Sequence, residues 1–126
     1  MTNSMNGLSK TFKQTNTTVN PFRIVKLGTA ADEVVAATAN SDVMFGVADE
    51  SADATAGNEV NIITAGIVKL CIASASTKGG YITATTAGKG LLTTTNLHKY
   101  VGILLETTTE SDQIAQVLLC PGQMSV

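Results

Sequence analysis

Few residues in this chain have the types and spacing for chemistry, and each can be held against a known requirement. In "DESADATAGNEV" (49–60), Asp49, Ser51 and Asp53 occupy alternate positions, as a calcium loop needs. The sixth place, where the sharp turn demands glycine, is Ala54, and the twelfth, where a bidentate glutamate should close the site, is Val60. The stretch reads as a solvated acidic turn. "TTAGKGLLTT" (85–94) has the look of a phosphate cradle, but Thr83 stands where the first glycine belongs and Gly90 follows Lys89 in place of Ser or Thr. It also lacks the third glycine and the βαβ frame of a dinucleotide fingerprint. A glycine-rich hairpin turn is the better account.

His98 in "TNLHKY" is the single histidine, without a ligand cluster at metal-binding spacing or a nucleophile partner. Lys69 in "GIVKLCI" lies mid-strand, not at the hairpin tip where a swinging-arm cofactor would be attached. Cys71 and Cys120 both lie inside apolar runs and read as buried free thiols, with pairing open only in an oxidising compartment. Asn16-Thr17-Thr18 matches a glycosylation acceptor that is idle without a secretion signal. No catalytic constellation, metal site or cofactor site emerges, and no small-molecule substrate is expected.

The composition asks for a cover. Only 14% of residues are charged, against about 25% in ordinary soluble domains, and the mean hydropathy is +0.21. Such a chain either hides apolar surface against copies of itself or a large partner, or relies on Thr, Ser and Asn for its polarity. The net charge of −2 gives no reason to expect nucleic acid. Residues 1–20 hold Lys10 and Lys13 and no acid, so they carry +2 and the rest of the chain −4. Asp42, Asp49, Glu50, Asp53 and Glu59 form the acidic part. No run reaches the length of a membrane span and no signal peptide opens the chain, so no membrane partner is expected and synthesis is placed in a cytoplasm.

Two regions follow. Residues 1–20, rich in Thr, Asn and Ser with isolated apolar positions, read as an extended or flexible N-terminal arm. Its Leu8 and Phe12 are candidate anchors on a partner. Pro21 marks the entry to a single β domain over 21–126. There the signals are short strands between turns: 22–27, 33–37, 44–48, 59–64, 66–72, two in the glycine-punctuated 76–94 stretch, 100–106 and 113–119. A short helical turn is possible near 50–57, ended by Gly57. The expected fold is all-β: a small compact sandwich or barrel of short antiparallel strands. Residues 46–63 and 102–119 echo one another as strand, loop and alternating strand; these are two related hairpins or simply ordinary β pattern.

Taken together, "FGVADE", "SADATAG", "NEVNIIT", "AGIVKL", the hairpin "KGGYITATTAGKG" and the closing pair "YVGILLE" and "QIAQVLL" carry a resemblance. Over about residues 22–122 the chain resembles the small decoration, or cement, proteins of tailed-bacteriophage capsids. The resemblance implies a mostly-β virion protein that binds the outer surface of an expanded head, as a homotrimer bridging neighbouring capsomers. Its partner would be the major capsid protein, its place the capsid exterior, and its site of synthesis the host bacterial cytoplasm. It also implies an arm lying on the shell, with Leu8, Lys10, Phe12, Lys13 and Val19 as the capsid-binding residues. The long Thr/Asn-rich start departs from the compact members. The alternative is a small β module binding carbohydrate or another ligand, which the absence of Trp and the 4% aromatic content disfavour. An enzyme, with a site between subunits drawing on His98 and the 49–53 loop, ranks third.

Overall fold

The computed structural model describes residues 8–14, 19–50, 52 and 59–125, and all its regular structure there is β. Ten strands run in chain order: β1 (Ser9–Lys13), β2 (Ile24–Leu27), β3 (Val34–Ala36), β4 (Met44–Ala48) and β5 (Glu59–Ile63), then β6 (Ile67–Ile72), β7 (Tyr81–Ala84), β8 (Gly90–Thr93), β9 (Lys99–Leu104) and β10 (Gln113–Gln123). The first five form a sheet ordered β1-β5-β4-β2-β3, and the last five close into a barrel ordered β10-β6-β8-β7-β9. The helical turn expected near 50–57 falls almost wholly outside the described residues.

The sheet has apolar contacts on both faces, which explains why the adjacent Ile24 and Val25 of β2 and the whole of "MFGVA" are apolar. Ile24, Met44 and Val47 pack with the barrel interior, in one cluster with Leu70, Ile82, Val101 and Val117. Val25, Ala48 and Ile62 face the other way and pack with Phe12, Val19, Val34 and Val60. β2 and β4 therefore lie between two cores. Backbone hydrogen bonds join the halves: Ile24 N–H donates to the Gly88 carbonyl (2.8 Å) and Cys71 N–H to that of Phe22 (2.9 Å). Gly88, at φ +76, needs the left-handed region that glycine tolerates. A Cβ there would also sit 3.2 Å from the Ile24 carbonyl, so the "AGKG" turn is shaped to dock on the sheet.

The all-β expectation holds, and three details add to it. The barrel is not wholly antiparallel: β6 and β8 run parallel at Ile72 and Gly90, because the β7–β8 hairpin folds in to close the barrel. β10 does not stop at Leu119 but continues through Pro121. A register shift between Leu119 and Gly122 accommodates the proline, which cannot donate to the ladder. Finally, Ser9–Lys13 is a strand, paired antiparallel with β5 from Ser9↔Ile63 to Lys13↔Glu59. The two echoing segments are both antiparallel hairpins, β4–β5 in the sheet and β9–β10 in the barrel.

Among the described residues one turn device appears three times. In each case an oxygen of a residue at i+4 collects the N–H groups of residues i and i+1, satisfying donors that a short loop leaves free. Glu33 accepts from Thr29 and Ala30 (2.9 and 3.0 Å). Asp42 accepts from Thr38 and Ala39 (2.9 and 3.1 Å). Gln113 accepts from Thr109 and Glu110 (2.9 and 3.3 Å).

Asp42 also pairs with Lys26 at 3.2 Å. Burial pushes its carboxyl up, but the N–H groups of Thr38 and Ala39 and the Lys26 ammonium outweigh this and hold it below its usual range. A carboxylate whose folded pKa lies below its unfolded value of about 3.9 stabilises the fold above that value. That contribution is lost as pH falls through the folded pKa. Asp42→Asn is accordingly expected to cost about 1–2 kcal/mol at pH 7, from the lost charge-assisted bonds. The gap to wild type in urea unfolding should narrow below about pH 4. A gap that stays constant down to pH 2.5 would contradict this assignment.

Candidate binding surface

Several of the groups with chemical potential are occupied locally. The Asp49 carboxylate accepts the Asn61 side-chain N–H at 2.7 Å; Ser51, Asp53 and Ala54 of the loop lie outside the described residues. Lys89 pairs with Asp112 at 2.7 Å, and Thr85 Oγ1 accepts from the backbone of Ala87 and Lys89 within the same hairpin turn. His98 Nδ1 is 2.8 Å from Thr93 Oγ1, between two ends of a barrel loop. Among the described residues, no three His, Cys, Asp or Glu side chains gather as metal ligands would. Cys71 lies opposite Ile114 in the β6–β10 ladder, six residues along β10 from Cys120. At about 3.3 Å per residue that is ~20 Å, far beyond bridging distance. Both thiols are free, and burial pushes that of Cys120 up. Asn16 is outside the described residues.

The five N-terminal candidates part into two groups. Phe12 is 8% exposed and Val19 fully buried, both inside this chain's second core. The Phe12 ring meets Phe45 edge-on, centroids 5.4 Å apart, and Lys10 Nζ sits 4.4 Å above it. Val19 N–H donates to the buried Gln14 Oε1 at 2.7 Å, which fixes the return of the chain. Leu8, by contrast, is 72% exposed, while its carbonyl accepts from Thr64 N–H at 2.8 Å. Lys10 and Lys13 are exposed; Lys10 reaches Asp32 at 3.1 Å, and Lys13 N–H donates to the Asp32 carbonyl. β1 is an edge strand, and this last bond is made from its free side, toward the start of β3. Antiparallel alternation turns the backbone groups of Ser9 and Thr11 the same way.

A second surface is apolar. Across four adjacent barrel strands the register puts Ile67, Leu118, Ile103 and Tyr81 in one outward row. The Tyr81 and Tyr100 rings meet at a tilt, centroids 4.4 Å apart, and the Tyr100 ring covers Gly122. Tyr100 in turn lines a shallow groove of about 300 Å³ with Val43, Lys99 and Pro121. Val43 also lines a neighbouring groove of about 190 Å³ with Lys26, Leu27 and Phe45. The result is one band from Leu27 at the end of β2 to Ile67 on β6, spanning both halves of the molecule. Val43 and Leu27 are two-thirds exposed on it. Its members are scattered from residue 27 to residue 121, so no local motif announces it. The low charge content was the one available signal.

Comparison with known proteins decides the family. The description "Phage cement protein" belongs to a family that matches this chain over residues 5–120, nearly its whole length. The chain belongs to the phage cement protein family. That family is one of phage structural proteins, in agreement with the resemblance read from the sequence. Among solved structures, this member of the cement family is similar to the head fiber gp8.5 N base of bacteriophage phi29. The TM-score is 0.70 at 18% identity, covering 94% of this chain and 98% of the other. At that identity the likeness is one of fold. No curated protein sequence matches.

Proposed function

We propose that this chain binds the outer surface of an expanded phage capsid and stabilises it by bridging neighbouring capsomers as a homotrimer. The major capsid protein is its partner and the capsid exterior its place, after synthesis in the host bacterial cytoplasm. The observation that carries this reading is membership of the cement family over residues 5–120. The head-fibre likeness agrees with a protein that stands on a phage head. On this reading the work is binding, not catalysis. Three modest contacts held on one trimer gain roughly 10²–10⁴ in avidity where all can engage. Preference for the expanded lattice then stabilises that lattice by mass action.

The N-terminal contact falls to Leu8, Lys10 and Lys13, which are reachable, while Phe12 and Val19 hold the strand from within. The free edge of β1 at Ser9 and Thr11 offers backbone groups to an extended shell segment. The test is co-sedimentation of the full chain with expanded and unexpanded heads of its own phage. Saturable binding to expanded heads only is expected. Leu8→Asp should weaken it about tenfold or more, the effect of losing one buried leucine per contact. Deleting residues 1–7 is a usable companion variant. Deleting 1–19 is not, since it removes β1 and two core side chains. Absence of binding to either head would end this reading and favour a ligand-binding module.

A further inference from the structure

Seven lysines and a single arginine carry the positive charge of this chain. Lys10, Lys26 and Lys89 each reach a carboxylate; among the described residues Arg23 reaches none. Its side chain is partly buried, and Nε is shut off from solvent without a hydrogen-bond acceptor. The acids that follow the neighbouring strand β4 do not serve it. Asp49 holds the Asn61 side-chain N–H at 2.7 Å, and the exposed Glu50 joins no ion pair among the described residues. Buried donors in folded proteins are nearly always met, so an exception asks for an explanation.

The backbone is strained to place this residue. Phe22 and Arg23 together stand against Ala48: Phe22 N–H donates to the Ala48 carbonyl and Ala48 N–H to the Arg23 carbonyl, both at 3.0 Å. Two residues against one make a bulge, and Phe22, in its first position, has left-handed backbone at φ 61°. Glycine normally fills that position, and a bulky side chain there is strained. Such strain persists where the surroundings fix it, and bulges re-aim side chains. Here Cys71 N–H pins the Phe22 carbonyl at 2.9 Å. The stem of Arg23 lies against the tip of the β7–β8 hairpin, its Cβ 3.5 Å from where a Gly88 Cβ would stand. Backbone and stem are thus held while the guanidinium is left unpaired.

We propose that Arg23 receives a carboxylate of the major capsid protein, in a contact separate from the β1 edge. The guanidinium presents Nε–H and one Nη–H as a parallel fork that matches two carboxylate oxygens. A lysine, with its point charge, has no such fork. Rotation about the last side-chain bonds brings Nε–H outward, and Nε gives up no bond within this chain by turning. The incoming carboxylate therefore meets a donor that the fold leaves unmet. Nucleic acid is the wrong anion for a chain of net charge −2, since its binding rests on many phosphate contacts. This inference takes the identity of the partner from the capsid reading above and adds where a charge-assisted contact is made.

Because Arg23 is the single arginine, the guanidinium-selective reagent phenylglyoxal labels this chain at one place. The full chain is labelled free and bound to expanded heads, and the Arg23 peptide is read by mass. Labelling of the free protein, slowed about tenfold or more on heads, is expected. In co-sedimentation, Arg23→Met keeps the stem and drops the N–H groups, and should raise the dissociation constant about tenfold or more. Arg23→Lys keeps the charge and loses the fork, and should raise it about threefold. Neither should lower the thermal midpoint, since no side-chain bond of the fold is lost. Unchanged labelling on heads, or Arg23→Met that binds as wild type does, would overturn the inference and leave the capsid reading standing. So would a lowered midpoint in Arg23→Met, which would make the residue structural. Full binding by Arg23→Lys would overturn the fork. Wild-type protein that binds neither head removes the capsid reading instead, and the lone arginine Nε–H resonance of isotope-labelled protein then decides. A saturable shift with sodium acetate, against sodium chloride of equal strength, keeps a carboxylate site; no shift, or a shift with inorganic phosphate alone, ends it.

Discussion

Phe12→Ala is expected to lower the unfolding free energy by about 3–5 kcal/mol, the usual cost of removing a buried aromatic side chain. The ring does three things at once. It fills the second core beside Val25, Val34 and Ile62, it meets Phe45 edge-on, and it carries the Lys10 ammonium on its face. An edge strand of five residues holds its place through such an anchor, because its outer side gains little from pairing. Domains of this size have about 5–15 kcal/mol in hand, so the loss should shift the urea midpoint by about a fifth or more. Leu8→Asp, two repeats of the alternation away and solvent-exposed, should shift it by less than about 0.5 kcal/mol. The two substitutions therefore separate holding the strand from presenting it. A Phe12→Ala chain with an unchanged midpoint would mean that β1 is not docked by this ring.

Gly102→Ala should be nearly as damaging, for the opposite reason. Gly102 lies between β7 and β10, opposite Ile82 on one side and Leu119 on the other. A Cβ there would overlap the Leu118 carbonyl oxygen and come within 2.9 Å of Val117 Cγ1. The obstructing oxygen belongs to the backbone, so relief requires the two strands to part and give up barrel pairing. Overpacking of this kind costs about 1–3 kcal/mol, and the fixed obstacle puts the expectation at the upper end. Thermal unfolding monitored by circular dichroism reads it directly. An alanine variant within about 0.5 kcal/mol of wild type would show that the strands yield there.

That glycine also shows what a sequence can disclose. "YVGILLE" and "AGKG" carried the family resemblance as patterns of spacing, and the structure supplies the reasons. One glycine admits a neighbouring strand, and the other lets a hairpin tip dock on the sheet. Most strands were legible because apolar residues recur in short runs between turn residues. Ser9–Lys13 was not, since "SKTFK" has a single apolar position and its pairing partner lies some fifty residues away in β5. Pro121 concealed the end of β10 by making a bulge resemble a stop. Acids at turns gave no chemical signal for a reason visible only in three dimensions: the Glu33 and Asp42 oxygens are taken up by backbone donors. Of the candidate surface, the sequence disclosed a charge content low enough to ask for a cover, and it named Leu8, which is exposed. The band was hidden because the register across four strands assembles it.

The placement of β2 and β4 between two cores has a mechanical consequence. Ile24 and Val25 are adjacent in sequence yet belong to different clusters, so neither cluster can loosen without disturbing the strand that serves the other. The sheet that ends at β1 and the barrel behind it share those strands. Strain entering at the N-terminal edge is therefore spread over the whole body instead of peeling one half from the other.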